Sequence, residues 1–181
     1  FNKMLHIGIP AGAQFIFEVA AFDFSLVMMG WLGTQALAAH QIAINLATIS
    51  FMTTSGLAAA ATIRVSNELG KGNLRQARQS AFVLLGMALT FMAVWGIIFL
   101  LGRNHLPLLY VDDMDVVTIA APLIVIAGLF QLSDGTQVVV IGALRGLQDV
   151  KVPSVLILIS YWVIGLPLGY WLGFRLNLGP I

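Results

Sequence analysis

The sequence predicts an all-α membrane protein, a polytopic bundle of transmembrane helices, and three observations carry that prediction. Of its 181 residues, 59% are apolar and only 9% are charged, with a mean hydropathy of +0.94; a water-soluble domain carries about 25% charged residues. The charges are crowded into short stretches, so that residues 24–63, 79–102, 116–133 and 152–174 hold none, while a spanning helix needs about 20 apolar residues. The period-two alternation of a membrane barrel is absent, which leaves helices to satisfy the backbone in hydrocarbon. A net charge of +1 excludes nucleic-acid binding through bulk electrostatics. Zero cysteines exclude a disulfide framework, a thiolate metal site and a cysteine nucleophile.

Five spans follow along the chain. The first covers 8–32 and is closed by the punctuation Gly30-Trp31-Leu32-Gly33-Thr34-Gln35; the others cover 42–63, 80–102, 117–144 and 152–174. Within the second, Gly56-Leu57-Ala58-Ala59-Ala60-Ala61-Thr62 offers small residues that let two helix backbones approach closely. Between the second and third spans, Asn67-Glu68-Leu69-Gly70-Lys71-Gly72-Asn73 reads as a glycine turn, and Leu74-Arg75-Gln76-Ala77-Arg78 as a basic amphipathic helix on the membrane surface. No phosphate-loop string accompanies those glycines. The segment from Gly142 to Pro153 is a sharp stop and restart between the fourth and fifth spans. Gly135 and Pro122 mark the fourth helix for bending or local unwinding.

Loop charge orients the bundle, since Lys and Arg are retained on the cytoplasmic side. Lys3, Arg64, Lys71, Arg75, Arg78, Arg145 and Lys151 fall on one side, against Arg103 and Arg175 on the other. The richer side is cytoplasmic, the first helix runs outward, and the fifth ends outside. An odd number of spans beginning inside, an opening Phe1 and the abrupt close at Gly179-Pro180-Ile181 lead us to expect a sixth helix beyond a truncated chain.

Three carboxyls remain inside the spans: Glu18, Asp23 and Asp134. An acid at mid-bilayer costs roughly 2.5–3.5 kcal/mol on insertion scales, which makes each a functional hypothesis. Glu18 lies about 15 Å beyond Gly8 and Asp134 about 16 Å before Arg145 at 1.5 Å per residue, so both are expected near the midplane. Gln14 precedes Glu18 by one turn, and Gln131 and Gln137 flank Asp134 at three residues on either side. The second span adds Gln41 and Asn45, with Thr48 and Ser55 farther along. A structural hydrogen bond between packed helices is the competing reading of the two acids, but no intramembrane Lys or Arg is available to them. Asp23 lies about 140° farther around the helix and suits a structural or vestibule role. His6, His40 and His105 form no metal set, and the seven methionines read as packing. Asp112, Asp113 and Asp115 follow Tyr110 in an outer loop; they either concentrate cations at the mouth of the bundle or make a solvated turn with an Asp as helix N-cap.

The strings Gly8-Ile9-Pro10, Phe17-Glu18-Val19, Ala38-Ala39-His40-Gln41-Ile42 with Asn45, Arg64-Val65 with Leu69-Gly70, Gln131-Leu132-Ser133-Asp134-Gly135-Thr136-Gln137, Gly142-Ala143-Leu144-Arg145-Gly146 and Leu166-Pro167-Leu168-Gly169, taken in order, resemble the carboxy-terminal half of a NorM-type MATE (multidrug and toxic compound extrusion) antiporter. The resemblance runs through nearly the whole chain. It implies a twelve-helix protein of two six-helix lobes, of which this sequence supplies five spans of one lobe. It further implies a multi-pass protein of the bacterial inner membrane that exports organic, often cationic, drugs, without a cofactor, using Na⁺ or H⁺ as the coupling ion. Glu18 and Asp134, with Gln41 as neighbour, would bind that cation, and Asp112 and Asp113 would contact substrate. The partners implied are drug-like organic cations, membrane lipid and the amino-terminal lobe, in a full-length monomer. Asp23 departs from the family, standing where an apolar residue is usual.

Two other functions compete. A lipid-linked oligosaccharide flippase of the same superfamily would line its cavity with Arg and Lys for pyrophosphate, and these spans have none. An intramembrane aspartyl protease could share a proton between two acids, but it requires a Gly-x-Gly-Asp string where this sequence has Leu132-Ser133-Asp134-Gly135. The remaining enzyme motifs, His-Glu-x-x-His and Gly-x-Ser-x-Gly, are missing as well.

The orientation is tested by single cysteines. Gln76→Cys and Met114→Cys in the full-length protein should be labelled from opposite sides of a sealed membrane, and labelling from one side would overturn the five-span reading.

Overall fold

A computed structural model describes residues 2–175, and the backbone alone at residues 2–4, 6 and 7. The side chains of Lys3 and His6 and the closing Gly179-Pro180-Ile181 therefore lie outside the described residues. Helices α1 (Asn2–Leu32), α2 (Thr34–Gly70), α3 (Leu74–Gly102) and α4 (Met114–Gly146) are followed by a fifth span, Lys151–Arg175. That span is made of α5 (Lys151–Leu158), a π-helical stretch Ile159–Gly165, α6 (Leu166–Tyr170) and a second π-helical stretch Trp171–Arg175. The described residues form no strand, and the five helical segments are long and apolar enough to cross a membrane. The chain is a multi-pass membrane protein.

The ends of the helices follow local chemistry. Gly33 separates α1 from α2 at φ +123, a conformation that side chains other than glycine's rarely adopt. Gly72, at φ +75, turns the chain between α2 and α3. Asn73 then caps α3, its Oδ1 accepting the Gln76 backbone N–H at 3.2 Å. The expected surface helix at 74–78 is instead the first turns of α3 itself, because nothing between the Asn73 cap and the apolar run breaks the helix. Arg78 there lies 5.5 Å from the centre of the Phe82 ring, a cation held over an aromatic face. After α4 the left-handed position falls to Gln148, at φ 65, with the Asp149 N–H reaching back to Leu144 O at 3.0 Å.

The chain divides into two compact units, each with its own contacts. The described part of the first comprises residues 2–43, 103–123 and 150–175. Here α1 packs on α5 and the segments that follow it. Gln14, Ala21 and Met28 are buried on α1, and Pro153 and Ile157 on α5. The seam carries aromatic pairs, Phe17 with Trp162 at 6.3 Å, Phe22 with Tyr161 at 5.7 Å and Trp31 with Phe174 at 6.0 Å between ring centres, each worth about 0.5–1.5 kcal/mol beyond its burial.

The second unit, Ile44–Gly102 with Ile124–Asp149, is held by backbone approach. Ala61, Ala88 and Val139 form its buried centre, with Leu57, Ala58, Leu84, Leu85 and Ala143 packed around them. Glycines recur along α4 at 128, 135 and 142, and a Cβ at each would strike a neighbour. At Gly128 it would lie 3.3 Å from Phe99 Cβ, at Gly135 2.5 Å from Met92 Cγ, and at Gly142 it would overlap the carbonyl of Ala58. Thr62 adds a hydrogen bond from Oγ1 to Gly142 O at 2.8 Å. The opposite face of α3 is bare: Phe82, Val83, Met87, Val94, Ile97 and Leu101 are exposed, an apolar surface suited to lipid and unsuited to water.

The local unwinding expected in the fourth span is therefore absent from it. α4 stays α-helical through Pro122 and Gly135, because Gly135 serves close packing against Met92. The fifth span carries the wide turns. The Leu166 N–H donates to Tyr161 O, five residues back, just ahead of Pro167. Proline has no N–H, and its ring collides with the carbonyl four residues earlier in a regular helix; widening the turn relieves both.

The glycine series predicts a pattern of stability. Gly142→Val in the full-length protein should lower thermal stability in detergent by about 1–3 kcal/mol through overpacking, whereas Gly86→Ala, with open space around it, should leave it unchanged or raised by about 0.5–1 kcal/mol.

Candidate functional site

The candidate residues are distributed over both units, and each is described in its own surroundings. Glu18 and Gln41 belong to the first unit together with Asp112 and Asp113, and Asp134 belongs to the second. The described residues contain no cluster of three His, Cys, Asp or Glu side chains that would hold a metal ion.

Glu18 is half-buried on α1, one turn beyond Gln14, which is 4% exposed. Ser154 of α5 faces that turn. Its Oγ donates to Val150 O at 2.6 Å and lies 3.3 Å from Pro10 O and 3.4 Å from Gln14 Oε1. Beside Glu18, the Phe17 carbonyl accepts the Trp162 indole N–H at 3.0 Å. This acid is thus carried on a stretch of α1 fixed by polar contacts to the fifth span. Gln41, in contrast, is exposed on α2.

Asp134 is half-buried on α4. Gln131, one turn earlier, is 2% exposed, and its Oε1 accepts the Ser50 hydroxyl of α2 at 2.6 Å. Thr54, also fully buried, donates to Ser50 O at 3.3 Å. The Nε2 atoms of Gln131 and Gln137 are both buried without an acceptor in the structure. Ser50, Thr54, Gln131, Asp134 and Gln137 are thus polar groups that the second unit buries wholly or in part.

The hydroxyls expected on the second span were different. Thr48 and Ser55 are exposed, and Thr48 Oγ1 bonds its own helix at Ile44 O, 2.8 Å away. The buried pair was visible in the spacing of Ser50, Thr54, Ala58 and Thr62 at four residues apart, a stripe of small residues on one helix face.

In the turn between α3 and α4, Asp113 is the N-cap of α4. Its Oδ1 accepts the Asp115 N–H at 2.9 Å, and its carbonyl accepts the Val117 N–H at 3.1 Å. Asp115 in turn accepts a bond from Gln35 Nε2 at 3.3 Å, which ties the start of α4 to the start of α2. Asp112 and Asp113 are exposed. A neighbouring cavity of about 500 Å³ is lined by Arg103, Leu108, Met114, Val117 and Pro122 among others, and by neither acid.

Known proteins resemble this chain along almost all of it. The profile of the MatE family matches residues 10–171. A probable multidrug resistance protein NorM of Rhizobium meliloti (strain 1021) is 40% identical over 98% of this chain and 42% of its own length. Another from Rhodopseudomonas palustris is 39% identical over 99% of this chain and 39% of its own length. The multidrug resistance protein MdtK of Proteus mirabilis is 41% identical over 95% and 38%. The chain thus spans about two fifths of the length of the curated relatives it matches.

Capping separates the two loop acids experimentally. Asp113→Ala should cost about 1 kcal/mol at the start of α4, read as faster hydrogen exchange at the amides of residues 115–117. Asp113→Asn, which caps equally well, and Asp112→Ala should leave those amides unchanged.

Proposed function

The chain belongs to the MatE family, and from that premise we propose that it works as a cation-coupled multidrug efflux antiporter, a secondary transporter and not an enzyme. Organic, often cationic, compounds leave the cell while Na⁺ or H⁺ enters. The observation that carries this reading is Asp134, an acid half-buried on a membrane-spanning helix between two glutamines with buried amides. An acid in that setting suits reversible neutralisation by a cation. Glu18, half-buried one turn past Gln14, is the matching group on α1, and Gln41 offers an amide oxygen. The full protein acts as a monomer in the bacterial inner membrane, consistent with its bacterial relatives.

Coupling requires that cation and drug favour different conformations, since a ligand with equal affinity for two states shifts neither. Neutralisation of Glu18 and of Asp134 by the cation removes charge from the membrane interior and favours one state; drug favours the other. Asp112 and Asp113, exposed at the outer turn, raise the local concentration of cations there. The absence of Lys and Arg from the apolar stretches 8–32, 42–63, 80–102, 117–144 and 152–174 disfavours a pyrophosphate-bearing lipid as cargo.

Vesicles containing the full-length protein, loaded with a fluorescent organic cation and given a Na⁺ or a pH gradient separately, test the reading. Glu18→Gln and Asp134→Asn should each reduce gradient-driven flux to that of protein-free vesicles, and the double variant should be little worse than either single one because both remove one function. Asp112→Asn with Asp113→Asn should slow cationic more than neutral compounds, less so at high salt. A Glu18→Gln, Asp134→Asn protein that still pumps would refute the proposal.

A further inference from the structure

The basic stretch that joins α2 to α3 takes no part in the transport cycle described above. Residues 64–78 hold Arg64, Lys71, Arg75 and Arg78 against a single acid, Glu68. That acid is 7% exposed and already answered by Lys71, whose Nζ lies 2.7 Å from its Oε1. Arg75 and Arg78 are exposed, and no carboxylate among the described residues pairs with either. The Arg78 guanidinium is held instead over the Phe82 ring, 5.5 Å from its centre. A ring occupies the face of a guanidinium and leaves the N–H donors along its edge for another partner.

The two arginines stand where water gives way to hydrocarbon. They open a helix that carries no charge from 79 to 102, and Phe82 follows Arg78 by about 6 Å along the axis. Arg75, Gln79 and Phe82, at i, i+4 and i+7, share one exposed face of α3, and the exposed Val83 and Met87 widen its apolar part. A free phosphate would answer the charge and leave that apolar surface uncovered. Hydrocarbon alone would cover the surface and leave the charge. An amphiphile with an anionic head and acyl chains answers both at once. Arginine grips phosphate through paired N–H···O bonds, and basic groups at a membrane surface favour anionic lipids, whereas a zwitterionic headgroup brings its own ammonium toward the arginines.

We propose that α3 opens on a binding site for an anionic phospholipid. Arg75 and Arg78 hold the phosphate, Gln79 offers an amide N–H beside them, and Phe82 and Val83 lie against the acyl chains. None of these residues belongs to the ion or drug sites proposed above.

Titration of the purified full-length protein in neutral detergent with phosphatidylglycerol or phosphatidylcholine, read as lipid retained in native mass spectrometry, tests the site. Wild type should bind phosphatidylglycerol saturably and more tightly than phosphatidylcholine. Arg75→Gln with Arg78→Gln should weaken the phosphatidylglycerol binding by about tenfold or more, about fivefold for each arginine, with phosphatidylcholine binding and thermal unfolding unchanged. Arg75→Lys with Arg78→Lys, which keeps both charges, should weaken it less than the glutamine pair. Phe82→Glu sets a carboxylate one turn from Arg78, where it competes for the guanidinium, and removes the ring from the chains. It should lose affinity too, and it provides a second variant should the glutamine protein misfold. Phosphatidylglycerol affinity at the wild-type value in the glutamine pair or in Phe82→Glu would overturn the site. Equal affinity of wild type for the two lipids would overturn the choice of an anionic head. Displacement of the lipid by an equal concentration of its water-soluble headgroup, glycerophosphoglycerol, would overturn the lipid as occupant and leave a site for a free phosphodiester.

Discussion

Hydrocarbon offers a helix no hydrophobic reason to associate, and everything in this structure is arranged around that constraint. Lipid tails are as apolar as leucine, so helices are held by close van der Waals contact and by polar groups that meet across the interface. The second unit uses both. Gly128, Gly135 and Gly142 bring α4 against Phe99, Met92 and Ala58, and hydrogen bonds cross the same seam at Gln131 and Gly142. A seven-residue recurrence keeps three contacts on one face of the helix. The large side chains, in consequence, are turned away from that seam: the exposed Phe, Val, Ile and Leu of α3 make an apolar surface suited to lipid.

The first unit solves the same problem with different chemistry. Its seam between α1 and the fifth span is aromatic and hydroxylic, with Phe17, Phe22 and Trp31 answering Trp162, Tyr161 and Phe174. Ser154 and Trp162 spend their hydrogens on atoms of α1 or of their own helix. Rings fill more space than glycine leaves, so this seam tolerates the irregular fifth span where the tight α4 contacts would not.

Much of this was legible in the sequence because charge is so scarce in it. Four gaps between charged residues and the glycine punctuation at residues 30–35 marked the five spans, and Glu18 and Asp134 stood out because charge is so scarce around them. Helix ends were less legible. α2 continues to Gly70 and α3 begins at Leu74, since residues beyond the hydrocarbon can remain helical and a charge reports depth in the membrane, not the end of hydrogen bonding. Gly135 did not unwind α4, because glycine serves packing as readily as flexibility. Only the neighbour, here Met92, distinguishes the two. Gln131 was visible as polar company for Asp134, but its tie to Ser50, 81 positions away, depends on how α2 and α4 meet.

The wide turns of the fifth span carry a consequence for its length. A bond reaching five residues back, as from Leu166 to Tyr161, encloses one residue more than an α-helical turn. The stretch Ile159–Gly165 therefore holds spare chain. Loss of a single residue there can be absorbed by tightening the turn, leaving Pro167, Trp171 and Phe174 on their present sides of the helix. The same loss from α4 would rotate everything beyond it by about 100° and turn its glycines away from their neighbours. Natural variation in length should accordingly collect in the fifth span and spare the fourth.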